Sequence, residues 1–199
     1  MYVYNKSIIT TLPNIIMHDI LTLHEQAKGY LKYAQVYQSQ ANVKSTLIEM
    51  GENISKDYSD KFPLFLNILG HGAFLTANLL SNITFDAQLD SIQILPLETQ
   101  AGISLRIIPN TNINNRDIII LDEMLDDGRT MEIIIKSLKD WGAKSVVSAV
   151  LCNKINDNKL IEPDYSAFAA PKNAYLFGCG MNINGFWSHL PDIWLLNSQ

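Results

Sequence analysis

Four short runs, residues 62–69 (FPLFLNIL), 91–95 (SIQIL), 117–122 (DIIILD) and 145–152 (SVVSAVLC), are apolar and partly β-branched. That is the pattern of strands buried on both faces. Between them lie segments of helical period. Residues 73–80 form one; in residues 129–141, Met131, Ile134, Leu138 and Trp141 share a face and Gly142 marks the stop. Strands alternating with helices predict an α/β fold, a central parallel sheet covered on both sides. Ahead of these, residues 14–33 carry Ile15, Ile16, Ile20, Leu21, Leu23, Ala27, Tyr30 and Leu31, and residues 40–58 carry Val43, Leu47, Met50, Ile54 and Tyr58. Both spacings predict helices with one apolar face. After Lys154, short strand candidates at 164–168, 175–178 and 192–197 are set apart by Pro163, Pro171 and Pro191. They are expected to build a small hood lobe over the carboxyl edge of the sheet, where open α/β sheets place ligands.

A chain of 199 residues is the size of one domain. With 47% apolar and 18% charged residues it has the composition of a soluble globular protein, and no run approaches the roughly 18 apolar residues of a membrane span. The first residues lack the basic and apolar regions of a secretory signal. Cys152 and Cys179 make neither a disulfide framework nor a metal motif and lie in apolar stretches, so buried free thiols and a cytoplasmic setting are expected. A net charge of −5 excludes a nonspecific nucleic-acid binder. An anionic substrate must then be held locally, by backbone amides or a metal ion.

Residues 118–131, IIILDEMLDDGRTM, join a buried strand to a carboxylate-rich turn, a glycine, a hydroxyl and an amphipathic helix. Gly128 permits a tight turn, and amides from about Asp127 to Met131 form an anion nest at a helix start, suited to a phosphate monoester. Thr130 adds a hydroxyl and Arg129 a charge. Asp122, Glu123, Asp126 and Asp127 crowd four carboxylates beside that nest; such groups can accept from ribose hydroxyls or take a proton from a base nitrogen. The alternative for Asp126 and Asp127 is helix capping.

This segment resembles the PRPP-binding motif of the type I phosphoribosyltransferases. GENISKDY, ILGHGAFLTANLL, GAKSVVSAVLCNK and YLFGCGMNINGFW follow the segment order of the hypoxanthine-guanine phosphoribosyltransferases. The resemblance covers residues 40–196 and implies an N-terminal helical extension, 1–39, before a phosphoribosyltransferase domain, 40–199. It implies transfer from PRPP to a 6-oxopurine with Mg²⁺, in a homo-oligomer. Asp122 and Glu123 would hold the ribose hydroxyls, directly or through water and Mg²⁺, with Asn182 where an aspartate usually organises the metal. Asp126 would be the acid/base at purine N7, and Asp127, Gly128, Arg129 and Thr130 would wrap the 5′-phosphate. Lys154 would read the 6-oxo group, Tyr175 stack on the base and Leu176 offer a carbonyl. Leu69, Gly70, His71 and Gly72 would form the pyrophosphate loop, in which members often hold a strained or cis peptide.

Without the resemblance, Lys154 reads as a solvated lysine, Tyr175 as a core aromatic and His71 as a turn residue. Gly70 stands where many members have lysine and Ser188 where an arginine is common; the lid expected between residues 95 and 107 is short, so either residues 98–102 form an abbreviated lid or turnover is poor. Two further readings use the same fold: a PRPP- or nucleotide-binding regulator with little turnover, and a transferase for a pyrimidine.

Overall fold

The structure is a computed structural model and describes residues 13–99, 102–106 and 109–196. Its elements are α1 (Pro13–Leu31), β1 (Ala34–Gln38), α2 (Gln40–Tyr58), β2 (Leu64–Ile68), α3 (Ala73–Leu80), β3 (Gln88–Ile92), β4 (Leu95–Thr99), β5 (Gly102–Arg106), β6 (Asp117–Leu125), α4 (Arg129–Asp140), β7 (Ser145–Lys154), β8 (Tyr165–Ala170), β9 (Tyr175–Phe177) and β10 (Ile193–Leu196). Five strands form one parallel sheet in the order β3-β2-β6-β7-β8.

Strand pleating sorts the apolar run of β6 between two cores. Ile119 and Leu121 face one, with Leu47, Ile54, Leu75 and Leu79 of α2 and α3. Ile118 and Ile120 face the other, with Met131, Ile134 and Leu138 of α4. Both faces are therefore covered, as the uninterrupted apolar runs require. Trp141 departs from the expected face: it lies past the last turn of α4 and is 48% exposed.

Two strands differ from their expected limits. β3 begins at Gln88 rather than Ser91, because it is an edge strand whose polar residues have partners: Asp90 accepts from the amides of Asn110 and Thr111 at 2.8 and 2.7 Å. β6 continues through the acidic residues to Leu125, paired with β7 as far as Asn153. β2 pairs with β6 only to Leu121. The central strand thus runs on beyond its neighbour on one side.

Residues 164–168 do not build the hood, because β8 joins the main sheet beside β7. The hood is an antiparallel sheet, β1-β10-β9, to which β1 contributes from the first forty residues. α1 rests on it through Ala27, fully buried with Phe177 and Ile183. Ile20, Leu21 and Tyr30 of α1 are exposed, so the contact stripe of this helix is narrower than its apolar pattern. The short lid segment is a β4-β5 hairpin with Thr99 paired to Gly102; its tip residues 100 and 101, and residue 107, lie outside the described residues. The buried thiols agree with expectation: Cys152 and Cys179 are free and buried. No helix among the described residues is long and apolar enough to cross a membrane.

Candidate active site

From β2 the chain passes outward through α3 to β3, then returns to β6 on the other side of β2. The β2/β6 boundary is therefore a topological switch point, where the loops diverge and leave a crevice at the carboxyl ends of the strands. A cleft of about 470 Å³ opens there, bounded by Leu69 and His71 after β2 and by the run from Asp122 to Gly128 with Thr130 after β6. A larger cavity of about 540 Å³ lies at the other end of the sheet. Its cations are already engaged: Lys144 with Asp117 at 2.8 Å, Arg116 with Gln88 at 2.8 Å and Lys61 over the Tyr58 ring at 4.6 Å.

The loop after β2 is a close turn in which the amides of His71 and Gly72 both donate to the Ile68 carbonyl, at 3.1 and 2.8 Å. No peptide bond among the described residues is cis; the turn passes through Gly70 at φ +88°. Gly72 sits against β6, where a Cβ would overlap the Leu121 carbonyl oxygen and lie 2.5 Å from Asn67 Oδ1. Only glycine lets this loop lie so near the acidic strand end.

Across from it, His71 Nδ1 meets Glu123 Oε1 at 3.0 Å. This hydrogen bond raises the His71 pKa. Burial raises that of Glu123, which His71 partly offsets. The other carboxylate oxygen, Glu123 Oε2, is buried with no hydrogen-bond partner. Asp122 accepts from the Glu123 amide at 2.8 Å. Burial, opposed by that hydrogen bond, pushes its pKa up to about 7.

At the turn after β6, Gly128 adopts φ +80° and precedes α4 without a side-chain cap of its own. The structure separates the two adjacent aspartates that follow one another in sequence. Asp127 Oδ1 accepts from the Arg129 amide at 2.9 Å, an Asx turn that spans the cap residue Gly128. Asp126 turns the other way, and Lys154 donates to its Oδ2 at 2.7 Å. Lys154 is only 15% exposed, so it is not a solvated lysine.

Tyr175 and Leu176 belong to the hood strand β9. Leu176 is buried against the main core, whereas the Tyr175 ring is 48% exposed and so is not a core aromatic. Asn182 lies in the following turn, where its Oδ1 accepts from the Gly185 amide at 2.8 Å. That oxygen is committed to the turn. Ser188 acts through its carbonyl, which accepts from the Gly180 amide at 2.9 Å.

Two parts of the site had no mark in the sequence reading. Gly180 brings the hood to the crevice: a Cβ there would lie 3.4 Å from Glu123 Oε2 and 3.1 Å from Phe74 Cβ. The glycines of GCGMNING were its only signal. Residues 156–162 clamp the turn at Asp127 and Gly128, with the Leu160 amide donating to the Asp127 carbonyl at 2.8 Å. Ile161 packs on Gly128, and Lys159 holds the loop to Asn153 and Glu162. In sequence this segment reads only as a polar turn.

The Asp122 environment sets a pH dependence. A carboxyl raised to about 7 in the fold from an unfolded value of about 4 contributes its stability below about pH 4. That contribution is lost as the pH rises through about 7. Asp122→Asn is expected to stabilise the protein by about 1–3 kcal/mol at pH 8 and to have little effect at pH 4. Urea denaturation at the two pH values measures this.

Comparison with known proteins agrees with this geometry. The model of the phosphoribosyl transferase domain matches residues 33–181. The hypoxanthine-guanine phosphoribosyltransferase of Streptococcus pyogenes is 28% identical over 156 residues, covering 76% of this chain and 86% of its own. That of Lactococcus lactis is 27% identical over 155 residues, covering 76% and 84%. Among solved structures, a hypoxanthine phosphoribosyltransferase from Staphylococcus aureus superimposes with a TM-score of 0.76 at 23% identity, over 82% of this chain and 91% of its own. The fold is therefore the type I phosphoribosyltransferase fold. With well over half of its length matched by the family model, and with the acidic strand end, the Gly128 turn and the glycine loop gathered at one crevice, this chain belongs to the phosphoribosyl transferase domain family.

Proposed function

We propose that the protein transfers the phosphoribosyl group of PRPP to a 6-oxopurine, hypoxanthine or guanine, giving the nucleoside 5′-monophosphate and pyrophosphate. The observation that carries this reading is the Lys154–Asp126 pair, donor and acceptor 2.7 Å apart. The edge of a 6-oxopurine presents N7–H beside O6, a donor next to an acceptor. It can therefore replace each partner of the pair, O6 accepting from Lys154 and N7–H donating to Asp126. A 6-amino purine would set donor against donor. The names of the relatives and the intact pair favour turnover over a regulator that only binds, and the donor–acceptor match favours a purine over a pyrimidine.

In this mechanism N9 attacks C1 of the ribose as the bond from C1 to pyrophosphate breaks, and Asp126 takes the proton leaving N7. Asp122 and Glu123 accept from the ribose hydroxyls. The amides from Asp127 to Thr130 hold the 5′-phosphate, Tyr175 stacks on the base and Leu176 supplies its carbonyl. The turn Leu69-Gly70-His71-Gly72 receives pyrophosphate, and the β4-β5 hairpin shields the reacting centre from water.

The acidic pair fits Mg²⁺: its donors are hard oxygens, and Glu123 Oε2 is buried without a partner. Among the described residues no group of three or more His, Cys, Asp or Glu is gathered as a metal cage, so PRPP and water would complete the coordination. Bound there, the ion would neutralise charge on the departing pyrophosphate. Asn182 is the further candidate near the metal, acting through the turn it holds. Assembly into a homo-oligomer and a cytoplasmic setting belong to the same proposal.

A nucleobase panel with PRPP and Mg²⁺ tests the reading. Nucleotide is expected from hypoxanthine or guanine and not from adenine or uracil; no product from any base would overturn it. Asp126→Asn keeps size and hydrogen bonding but cannot take the proton. Turnover should fall by roughly 10²- to 10⁴-fold, with PRPP affinity within a small factor. Lys154→Ala should weaken use of the 6-oxopurine by about 1.5–3 kcal/mol in kcat/KM, far more than it weakens PRPP binding. Equal losses for base and PRPP would assign Lys154 a structural role.

A further inference from the structure

The phosphate nest already holds an anion, and that anion is part of the chain. Asp127 Oδ1 accepts from the Arg129 amide at 2.9 Å, and its second oxygen lies 3.9 Å from Arg129 Nε. The first-turn amides of α4 have no acceptor within the helix, and Gly128, the residue at the cap, has no side chain to offer. The carboxylate one residue earlier reaches across the left-handed glycine and takes one of these donors.

The backbone beneath it is fixed. The Asp127 carbonyl accepts from the Leu160 amide at 2.8 Å, and Gly128 is covered by Ile161. An incoming phosphate therefore cannot obtain the Arg129 amide by reshaping the turn. The Asp127 side chain has to rotate away, and it is free to do so because it is 53% exposed. Even then its negative charge stays one residue from the phosphate.

From this we infer that Asp127 is an internal competitor for the 5′-phosphate, a carboxylate that occupies the nest of the unliganded protein and lowers its affinity for every phosphorylated ligand of the site. The inference rests on the reading of the 128–130 turn as the 5′-phosphate site. It differs from that reading in assigning the side chain of Asp127 a role opposed to that of its backbone. Asp126 and Asp127 then act on different ligand parts: one faces the base, the other sets how readily the phosphate enters.

The test is calorimetric titration of the full chain and of Asp127→Asn, Asp127→Ser and Thr130→Val with inosine 5′-monophosphate and with inosine. Asn and Ser can each still accept from the Arg129 amide but carry no charge, so the turn is kept while the repulsion is removed. Both variants should bind the monophosphate about 10-fold tighter, the effect of relieving one half-exposed like-charge contact. Inosine binding should not change. The result that overturns the inference is unchanged or weaker monophosphate binding by both variants while Thr130→Val weakens it. If Thr130→Val also leaves monophosphate binding unchanged and inosine binds as tightly as its monophosphate, the phosphate-site reading itself fails and takes the inference with it.

Discussion

The site depends on the overhang of β6 beyond β2. β6 keeps its pairing with β7 through Leu125, while its pairing with β2 ends at Leu121. Carboxylates placed on that overhang are held rigidly by backbone hydrogen bonds on one side and open to a crevice on the other. Burial acts on them where they emerge, raising both Asp122 and Glu123 above the ordinary carboxylate range. The fold maintains two acids near each other at the strand end, a cost that a purely structural turn would have no reason to carry.

Three contacts pair polar groups of the crevice within the chain. Lys154 holds Asp126, His71 holds Glu123, and Asp127 holds the Arg129 amide. In the unliganded protein these pairs satisfy groups that would otherwise be orphaned. In the proposed mechanism each is exchanged on binding for a contact of the same polarity, so affinity reflects the difference between two sets of hydrogen bonds. The exception is Glu123 Oε2, buried with no partner, which is why the acidic pair is the part of the crevice that most clearly asks for a further ligand.

The sequence made the parallel sheet legible because uninterrupted apolar strands and amphipathic helices have different periods, and neither depends on distant partners. Residues 117–122 and 145–152 are of this kind. It was less informative where pairing is decided by tertiary context. The polar edge strand β3 was shifted by Asp90 and its loop partners, and β1, a short strand between two helices, is a strand only because β10 lies beside it. The hood contact at Gly180 and the clamp at residues 156–162 were illegible for the same reason. Periodicity reports which face of an element is buried, not which loop will lie against it. Asp126 and Asp127 show the limit most sharply: adjacent and chemically identical, they receive different roles in the sequence only through the resemblance, and the structure distinguishes them by where Lys154 and the Arg129 amide sit.

The leaving-group side follows from the same economy of backbone. Gly70 offers no side-chain charge, and the Asn182 oxygen and Ser188 carbonyl are used to shape the hood turn. What remains near the loop is His71, 60% exposed at its side chain and tied to Glu123, with the amides of a turn pressed against β6 by Gly72. In the proposed mechanism His71 and the metal held at the acidic pair take over the neutralisation of pyrophosphate, since the His71 and Gly72 amides already donate to the Ile68 carbonyl. That arrangement works only if the loop stays close to Glu123. The absence of any side chain at Gly72 is what allows it, and it joins the loop after β2 and the acidic end of β6 into one unit.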